Sequence, residues 1–391
     1  MKNKVSYLGL IGANTLIYGL TALYFGFLPI FLEYQGKTND QIGYLLAAAQ
    51  LVSVFAQSVW GKITDKAKYK NNILAILVIF SSIFFVLVYF GSSMLYLFIM
   101  ISLVMFFLSN LCGLTDTITI EASGVNQWKY GPLRVMGTLG FGLVSMGLAP
   151  FIGGENISLL FVFFAAVGLL SVVFLYMAPK VKGHAEKREK ISIKPIFRDR
   201  VTVIMFFVMA VSILTFNYYQ NFYPKYMIAS VENGGLGISE WLMGVNTLIT
   251  VTGEILFFLF YNKIMEKIGI KKVLWIFGVL SVVRYLSLAY TKNAVLVLTI
   301  GFFTGLCPTV FTYCCTFYLM KTVSPSVRAS AQMAMYALCN SLPRMMGSGI
   351  GGVITESFGT KGGLIFCTLL SALSLISLLA LPKKIKTDMR T

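Results

Sequence analysis

Acidic residues are scarce in this 391-residue chain, with fifteen Asp and Glu against thirty-two Lys and Arg. Charged residues of both signs make up only 12% of it, about half the share usual in soluble domains, which excludes an ordinary soluble multidomain protein. The single histidine, His184, sits in a charged stretch far from any cysteine cluster, and no glycine-rich phosphate loop is present. Metal-dependent and nucleotide-dependent chemistry therefore has no motif here, and no cofactor is expected. The six cysteines, Cys112, Cys307, Cys314, Cys315, Cys339 and Cys367, are too thinly spread for a disulfide framework and all fall in apolar runs, where they read as small packing residues. Without a reactive constellation or a soluble output domain, neither an enzyme nor a sensor is indicated.

What is abundant is apolar surface: 57% of residues are hydrophobic and 14% aromatic. A helix crossing about 30 Å of hydrocarbon needs about 20 mostly apolar residues. Such runs occur near 6–32, 41–60, 71–90, 95–117, 131–152, 157–178, 201–226, 240–262, 273–290, 294–320, 329–354 and 360–381. The fold class expected is an all-α membrane protein of twelve transmembrane helices. The longest polar interruption, 179–200, holds eight Lys and Arg and reads as a cytosolic linker between a six-helix bundle at 1–178 and a second at 201–391. The first span is too long for a cleavable signal peptide.

The distribution of charge tests this count, because segments between spans must alternate sides. Of the 32 basic residues, 26 fall on one side. Only Lys37, Lys225, Lys292 and Lys361 fall on the other, while Arg284 and Arg344 lie within spans. By the positive-inside rule both termini are cytoplasmic, as in a multi-pass protein of a bacterial-type inner membrane. The net charge of +17 is thus a topology signal, and no nucleic-acid partner is needed to explain it.

An internal repeat supports two related halves. Residues 61–74, GKITDKAKYKNNIL, align without gaps on 262–275, NKIMEKIGIKKVLW, pairing Asp65 with Glu266 and Lys66 with Lys267. Upstream, FLPIFL at 27–32 echoes FYPKYM at 222–227, so Pro29 matches Pro224. Parallel repeats of this kind are a transporter layout. Physically, Gly61 permits close backbone approach, Asp65 can cap a helix or pair with lysine, and the basic residues suit an anionic inner leaflet. The stretch Gly61, Asp65, Lys66, Glu266 and Lys267 is either a gating latch between halves or a solvated topology anchor.

The motif Gly-x-x-x-Asp-Lys-x-x-x-Lys from Gly61 to Lys70 resembles the signature loop of the major facilitator superfamily. More narrowly, YGPLRVMGTLGFG at 130–142, the stretch 24–66 and GEILFFLFYNKIMEKIGIKK at 253–272 resemble the lactose permease, nucleoside:proton symporter and phenylpropionate permease group. The resemblance implies a secondary active transporter working by alternating access on a small-molecule substrate, coupled to protons, in the lipid bilayer, and functional as a monomer. It also implies that Asp116 and Arg134, 18 residues apart, are substrate ligands, with Phe141 where the sugar transporters carry a stacking aromatic. One departure stands out: 301–321 contains neither acid nor histidine, so the sugar symporter's proton relay does not carry over whole.

Ionisable side chains within spans are informative because each costs about 2.5 to 3.5 kcal/mol at a helix centre unless paired or hydrated. Here they are Asp116, Glu121, Arg134, Glu254, Arg284 and Arg344. Hydropathy places Asp116 and Arg134 toward the cytoplasmic end, where an interfacial ion pair is the alternative to substrate binding. Glu254 lies near mid-span and is the candidate proton carrier, because burial favours its neutral form and a movable arginine its ionised form. Arg284 is its expected partner, with a static salt bridge as the alternative; Arg344, a second cation near the cavity, is a candidate substrate ligand. Tyr18, Asn217 and Asn221, the last two at i and i+4, are further substrate-binding candidates, against interhelical hydrogen bonding. Gln50, Gln57 and Asn340 extend that set.

The intramembrane charges, taken without Glu121, leave a surplus of one positive charge, which favours an organic anion. Neutral sugars and nucleosides would use the polar and aromatic residues instead, so the substrate class stays open among the three. A proton-antiport exporter is the alternative function, since Gly147, Pro150, Gly153 and Gly154 loosely resemble a pattern of such antiporters.

Overall fold

The computed structural model describes residues 2–152, 156–183, 199–323, 331–332 and 335–382. Residues 184–198 of the expected linker lie outside the described residues. Described helices are α1 (Lys2–Tyr34), α2 (Asn39–Lys66), α3 (Lys70–Val88), α4 (Met94–Leu108), α5 (Leu111–Asn126), α6 (Tyr130–Leu148), α7 (Leu159–Met177), α8 (Arg200–Ile228), α9 (Glu240–Ile268), α10 (Ile270–Tyr290), α11 (Ala294–Thr322) and α12 (Leu342–Ser377). In lipid a helix is the natural solution, because it satisfies every backbone N–H and C=O within one segment.

These helices do not map one to one onto spans. α4 and α5 are one span, Met94–Asn126, interrupted at Ser109 and Asn110. Conversely, the stretch Ala337–Ala380 runs 44 residues, about twice what a bilayer needs. It turns at Gly359, whose φ of 68° and ψ of 175° leave the helical region. Among the described residues eleven helical stretches are long and apolar enough to cross a membrane, and division of the last at Gly359 gives the twelve-span architecture. Tyr218 of α8 fills the corner, its hydroxyl meeting Thr355 Oγ1 at 2.9 Å and donating to the carbonyl of Thr360 at 3.3 Å.

The repeat is visible in the fold. Pro29 lies within α1 and Pro224 within α8, each close to the end of its helix. The aligned loops join α2 to α3 and α9 to α10, the second through Gly269 alone, in the left-handed region at φ 81°. At the first, the chain leaving α7 packs on the loop: Lys70 N–H donates to Val181 O at 2.8 Å and Gly183 N–H to Ala67 O at 3.1 Å. The close approach expected at Gly61 is instead made at Gly183. A Cβ on Gly61 would meet nothing within 4 Å, whereas one on Gly183 would fall 2.5 Å from Ala67 O.

The fourth span reaches about nine residues beyond the apolar run that ends at 117. Its polar residues are hidden locally: Thr115, Thr119 and Ser123 each donate to the carbonyl four residues back, at 2.7, 2.7 and 2.6 Å. Glu121 pairs with Lys70 at the start of α3. Asp116 is therefore inside the span rather than at its edge.

The first six spans meet the last six along α1 with α8, α2 with α12, and α6 with α9. Small residues set the separation. A Cβ on Gly43 of α2 would fall 2.6 Å from Ser348 O, and one on Gly244 of α9 would fall 2.6 Å from Met146 Cα of α6. At the charge-poor end, Lys225 of α8 is 3.3 Å from Glu33 of α1 and donates to Asn39 Oδ1 at 2.7 Å. The backbone N–H and side-chain amide of Asn39 donate to Glu356 Oε2 at 2.8 and 3.0 Å. This end of the molecule is sealed. Gly43→Leu should wedge the seam apart, lowering several-fold the oxidative cross-linking of an Asn39→Cys/Glu356→Cys pair; an unchanged yield would show that the seam tolerates the side chain.

Candidate functional site

Between the two sets of spans lies a cavity of about 510 Å³. Its walls are built from one stripe per helix. On α6, Arg134, Thr138, Phe141 and Ser145 recur at spacings of four, three and four residues, and on α9 Met243, Thr247, Thr250 and Glu254 do the same. Residues three and four apart share a helix face, so each helix offers one polar stripe to the cavity. Tyr18 of α1, Gln50 and Gln57 of α2 and Arg344 of α12 add to the polar lining.

Tyr18, Asp116 and Arg134 form one cluster. The Arg134 guanidinium stands 3.2 Å from Asp116 Oδ1 and lies over the Tyr18 ring at 4.6 Å from its centroid. The Tyr18 hydroxyl donates to Asp116 Oδ2 at 2.9 Å, and Arg134 also donates to Thr138 Oγ1 at 3.0 Å. Tyr18 and Arg134 face the cavity with Asp116 behind them, so Asp116 holds the arginine from the side away from a ligand. Phe141 lies on the same wall.

Glu254 also lines the cavity, with a hydrogen bond to Thr309 of α11. Its carboxylate occupies the space a side chain at Gly305 would take, since a Cβ there would fall 2.4 Å from Glu254 Oε1. Its charged neighbours are Arg134 and Arg344. Arg344 donates through Nε to Asn340 Oδ1 at 2.9 Å.

Three expected placements differ. Arg284 does not meet Glu254: it is 2% exposed and donates to the carbonyls of Phe303 and Thr304 at 3.2 and 2.7 Å. Its guanidinium lies 4.1 Å from the Tyr285 ring centroid. The reason is rotational, since Arg284 on α10 points at the α11 backbone while Glu254 on α9 points inward. Asn217 and Asn221 do not line the cavity either. Asn221 Nδ2 donates to Ser348 Oγ at 2.9 Å, and Ser348 Oγ donates to Asn217 Oδ1 at 2.8 Å, which clamps α8 to α12. Their i, i+4 spacing put them on one face, and that face is the α12 contact; the cavity face of α8 carries Phe216, Tyr219 and Gln220.

The charge balance changes accordingly. With Arg284 elsewhere and Glu121 bound to Lys70, the cavity holds Arg134 and Arg344 against Glu254 and the Asp116 behind Arg134, and the positive surplus vanishes. Thr138, Ser145, Tyr219, Asn246 and Thr247 are lining residues that the sequence reading passed over. The four-three-four stripe starting at Arg134 was a signal that could have found Thr138 and Ser145. Of the repeated loop, Gly61, Asp65 and Lys66 lie in the last turns of α2 and Lys267 at the end of α9. Asp65 and Lys267 each engage a neighbour, and the side chain of Glu266 lies outside the described residues. Cys112 is half-buried on the cavity wall rather than packed in a core.

A family model described as the MFS_1 like family matches residues 7–368. The chain belongs to that family, the MFS transporters. It is 23% identical over 327 residues to the uncharacterized transporter YwbF of Bacillus subtilis, covering 82% of this chain and 79% of that one. It is 21% identical to the nucleoside permease NupG of Escherichia coli, covering 85% and 82%, and 26% identical to the lactose permease of Klebsiella oxytoca, covering 71% and 70%. The crystal structure of the nucleoside transporter NupG superposes with a TM-score of 0.82 at 19% identity, over 97% of this chain and 99% of that one. The MFS fold of twelve helices is thereby established, and the protein is a multi-pass membrane transporter rather than an enzyme.

If Asp116 and Arg134 act as a unit, their removal is non-additive. The Asp116→Ala/Arg134→Ala double variant should lose less thermal stability than the sum of the single variants, with a coupling of about 0.5 to 3 kcal/mol. Strict additivity in unfolding experiments would dissolve the cluster.

Proposed function

We propose that this MFS protein is a proton-coupled symporter that imports a small, neutral, polar solute by alternating access. The observation that carries this reading is the lining of the cavity: among the described residues a single carboxylate, Glu254, shares it with hydroxyl, amide and aromatic groups, and while that carboxylate is ionised it and Asp116 balance Arg134 and Arg344. The hydroxyl and amide groups of Thr138, Gln220 and Asn246 offer hydrogen bonds, and Phe141 and Tyr219 offer flat faces suited to a sugar or a nucleobase. That the relatives named above include a nucleoside permease and a lactose permease agrees with this class.

Arg134 and Phe141, with Tyr18 and Asp116 supporting the arginine, are assigned to solute binding. Asn217, Asn221 and Arg284 are reassigned to holding helices together. Glu254 is assigned to the proton, with Arg344 as the cation that favours release. A proton taken on Glu254 from one side leaves to water on the other once the cavity has changed its exposure, and both arginines stay protonated throughout.

The positive-inside pattern assigns the basic face, with both termini, to the cytoplasm of a bacterial-type inner membrane. On that assignment the sealed end is extracellular and the cavity is that of an inward-facing state. The two rocking units are the first six and the last six spans, and one monomer contains the whole pathway. The loop Gly61–Lys70 and its copy near Lys267 then lie at the open end, where a latch would form only in the outward-facing state.

Purified protein in liposomes with an imposed inward proton gradient should accumulate a radiolabelled nucleoside or disaccharide above equilibrium. Glu254→Gln should abolish that accumulation, at least tenfold, while retaining solute exchange at equal concentrations. Accumulation that survives Glu254→Gln would remove Glu254 from coupling. Accumulation driven only by an outward proton gradient would identify an antiport exporter instead.

A further inference from the structure

Asn340 and Arg344 flank an irregularity in the eleventh span. Residues Ala337–Ser341 form a π turn, and Pro343 follows in the first turn of α12. A proline has no N–H for the carbonyl four residues back, and widened turns of this kind often mark working parts of a helix. Here the turn places Asn340, Ser341 and Arg344 together on the cavity wall.

The environment of Glu254 is simple in charge. From α6 it faces Arg134 and from the eleventh span Arg344; α11 offers the Thr309 hydroxyl and the bare backbone of Gly305. Neither arginine is in ion-pair contact with it among the described residues. Each is held by something else. Arg134 is held by Asp116, Tyr18 and Thr138, and Arg344 by the Asn340 amide oxygen at 2.9 Å. For Arg134 the holder is a carboxylate, but for Arg344 it is, among the described residues, a single neutral hydrogen bond, so Arg344 is the arginine that one substitution sets free.

We propose that Asn340 is a positioning residue for coupling: by holding the Arg344 guanidinium near Glu254 but out of contact, it prevents a direct salt bridge that would lock Glu254 in its ionised form. This rests on the reading of Glu254 as the proton carrier. A directly paired carboxylate in a low-dielectric cavity stays ionised well below neutral pH. At its present position Arg344 favours proton release to cavity water without fixing it, and the proton is the only species transferred.

The test does not require the natural solute. A carbodiimide reacts with a protonated carboxyl in an apolar site, and mass spectrometry of the full-length protein's peptides reads the adduct on Glu254 as a function of pH. Asn340→Ala should lower the labelling midpoint by about one pH unit or more, a tenfold change in proton affinity. Asn340→Ala/Arg344→Gln should restore labelling to at least the parent level. Asn340→Ser, which is too short to reach Nε, should behave as Asn340→Ala and serves if the alanine variant does not fold. An unchanged midpoint in a folded variant, a double variant that fails to recover, or a parent protein unlabelled between about pH 5 and 9 would each overturn the proposal. Failure of the underlying reading would show separately, as uphill transport surviving Glu254→Gln, because the labelling midpoint reports the Asn340–Arg344 geometry whatever the vesicles accumulate.

Discussion

A polar or ionised group inside the hydrocarbon layer must find its partners within the protein, and this constraint sorts the intramembrane residues into two sets. One set is consumed in joining helices. Arg284 donates through one terminal nitrogen to two α11 carbonyls, the Asn217–Asn221–Ser348 triad ties α8 to α12, and Glu121 meets Lys70. The other set faces the cavity and is held only in part: Arg134 by Asp116, Arg344 by Asn340, and Glu254 by Thr309. Function is assigned to the second set because its groups keep capacity for a ligand or a proton. The first set supplies the rigid frame against which those groups are positioned.

The same economy explains the seam. On the proposed alternating-access reading, the two halves part at this seam and exclude ions while closed. Glycines at the crossing points, Gly43 and Gly352 between α2 and α12 and Gly142 and Gly244 between α6 and α9, let the helices approach closely, while Tyr218, Phe222 and Tyr223 of α8 belong to one packed core with residues of α1. At the rim, Glu33, Lys225, Asn39 and Glu356 form a short chain of polar contacts that crosses between halves. On the proposed reading these contacts part when the end opens; Glu33 is already half-exposed, whereas Lys225 is buried and must gain water.

Much of this was legible in the sequence. Apolar runs and basic loops gave the spans, and the gapless match of 61–74 to 262–275 gave the repeat, since both depend only on local composition and spacing. Asp116, Arg134, Glu254 and Arg344 are each conspicuous in the sequence because a charge within an apolar run stands out. The rotational setting of each helix was not legible. A helix apolar all round carries no internal mark of which side faces lipid, neighbour or cavity, so Arg284 was paired with the wrong residue and Asn217 and Asn221 were turned inward. The fourth span was cut short for a different reason: Thr115, Thr119 and Ser123 hide their hydroxyls in bonds to their own helix, which hydropathy counts as polar. Gly61 misled because conformational freedom shows only that close approach is permitted there, and the approach is made at Gly183.

The central claim is that a neutral solute and a proton cross together. Adding a nucleoside or disaccharide substrate to lightly buffered, de-energised vesicles of the intact protein, with external pH recorded, tests it without any variant. The account predicts a solute-dependent alkalinisation of the medium, one proton for each solute molecule taken up, abolished by a protonophore. Solute entry with no change in pH, or with acidification, would contradict it.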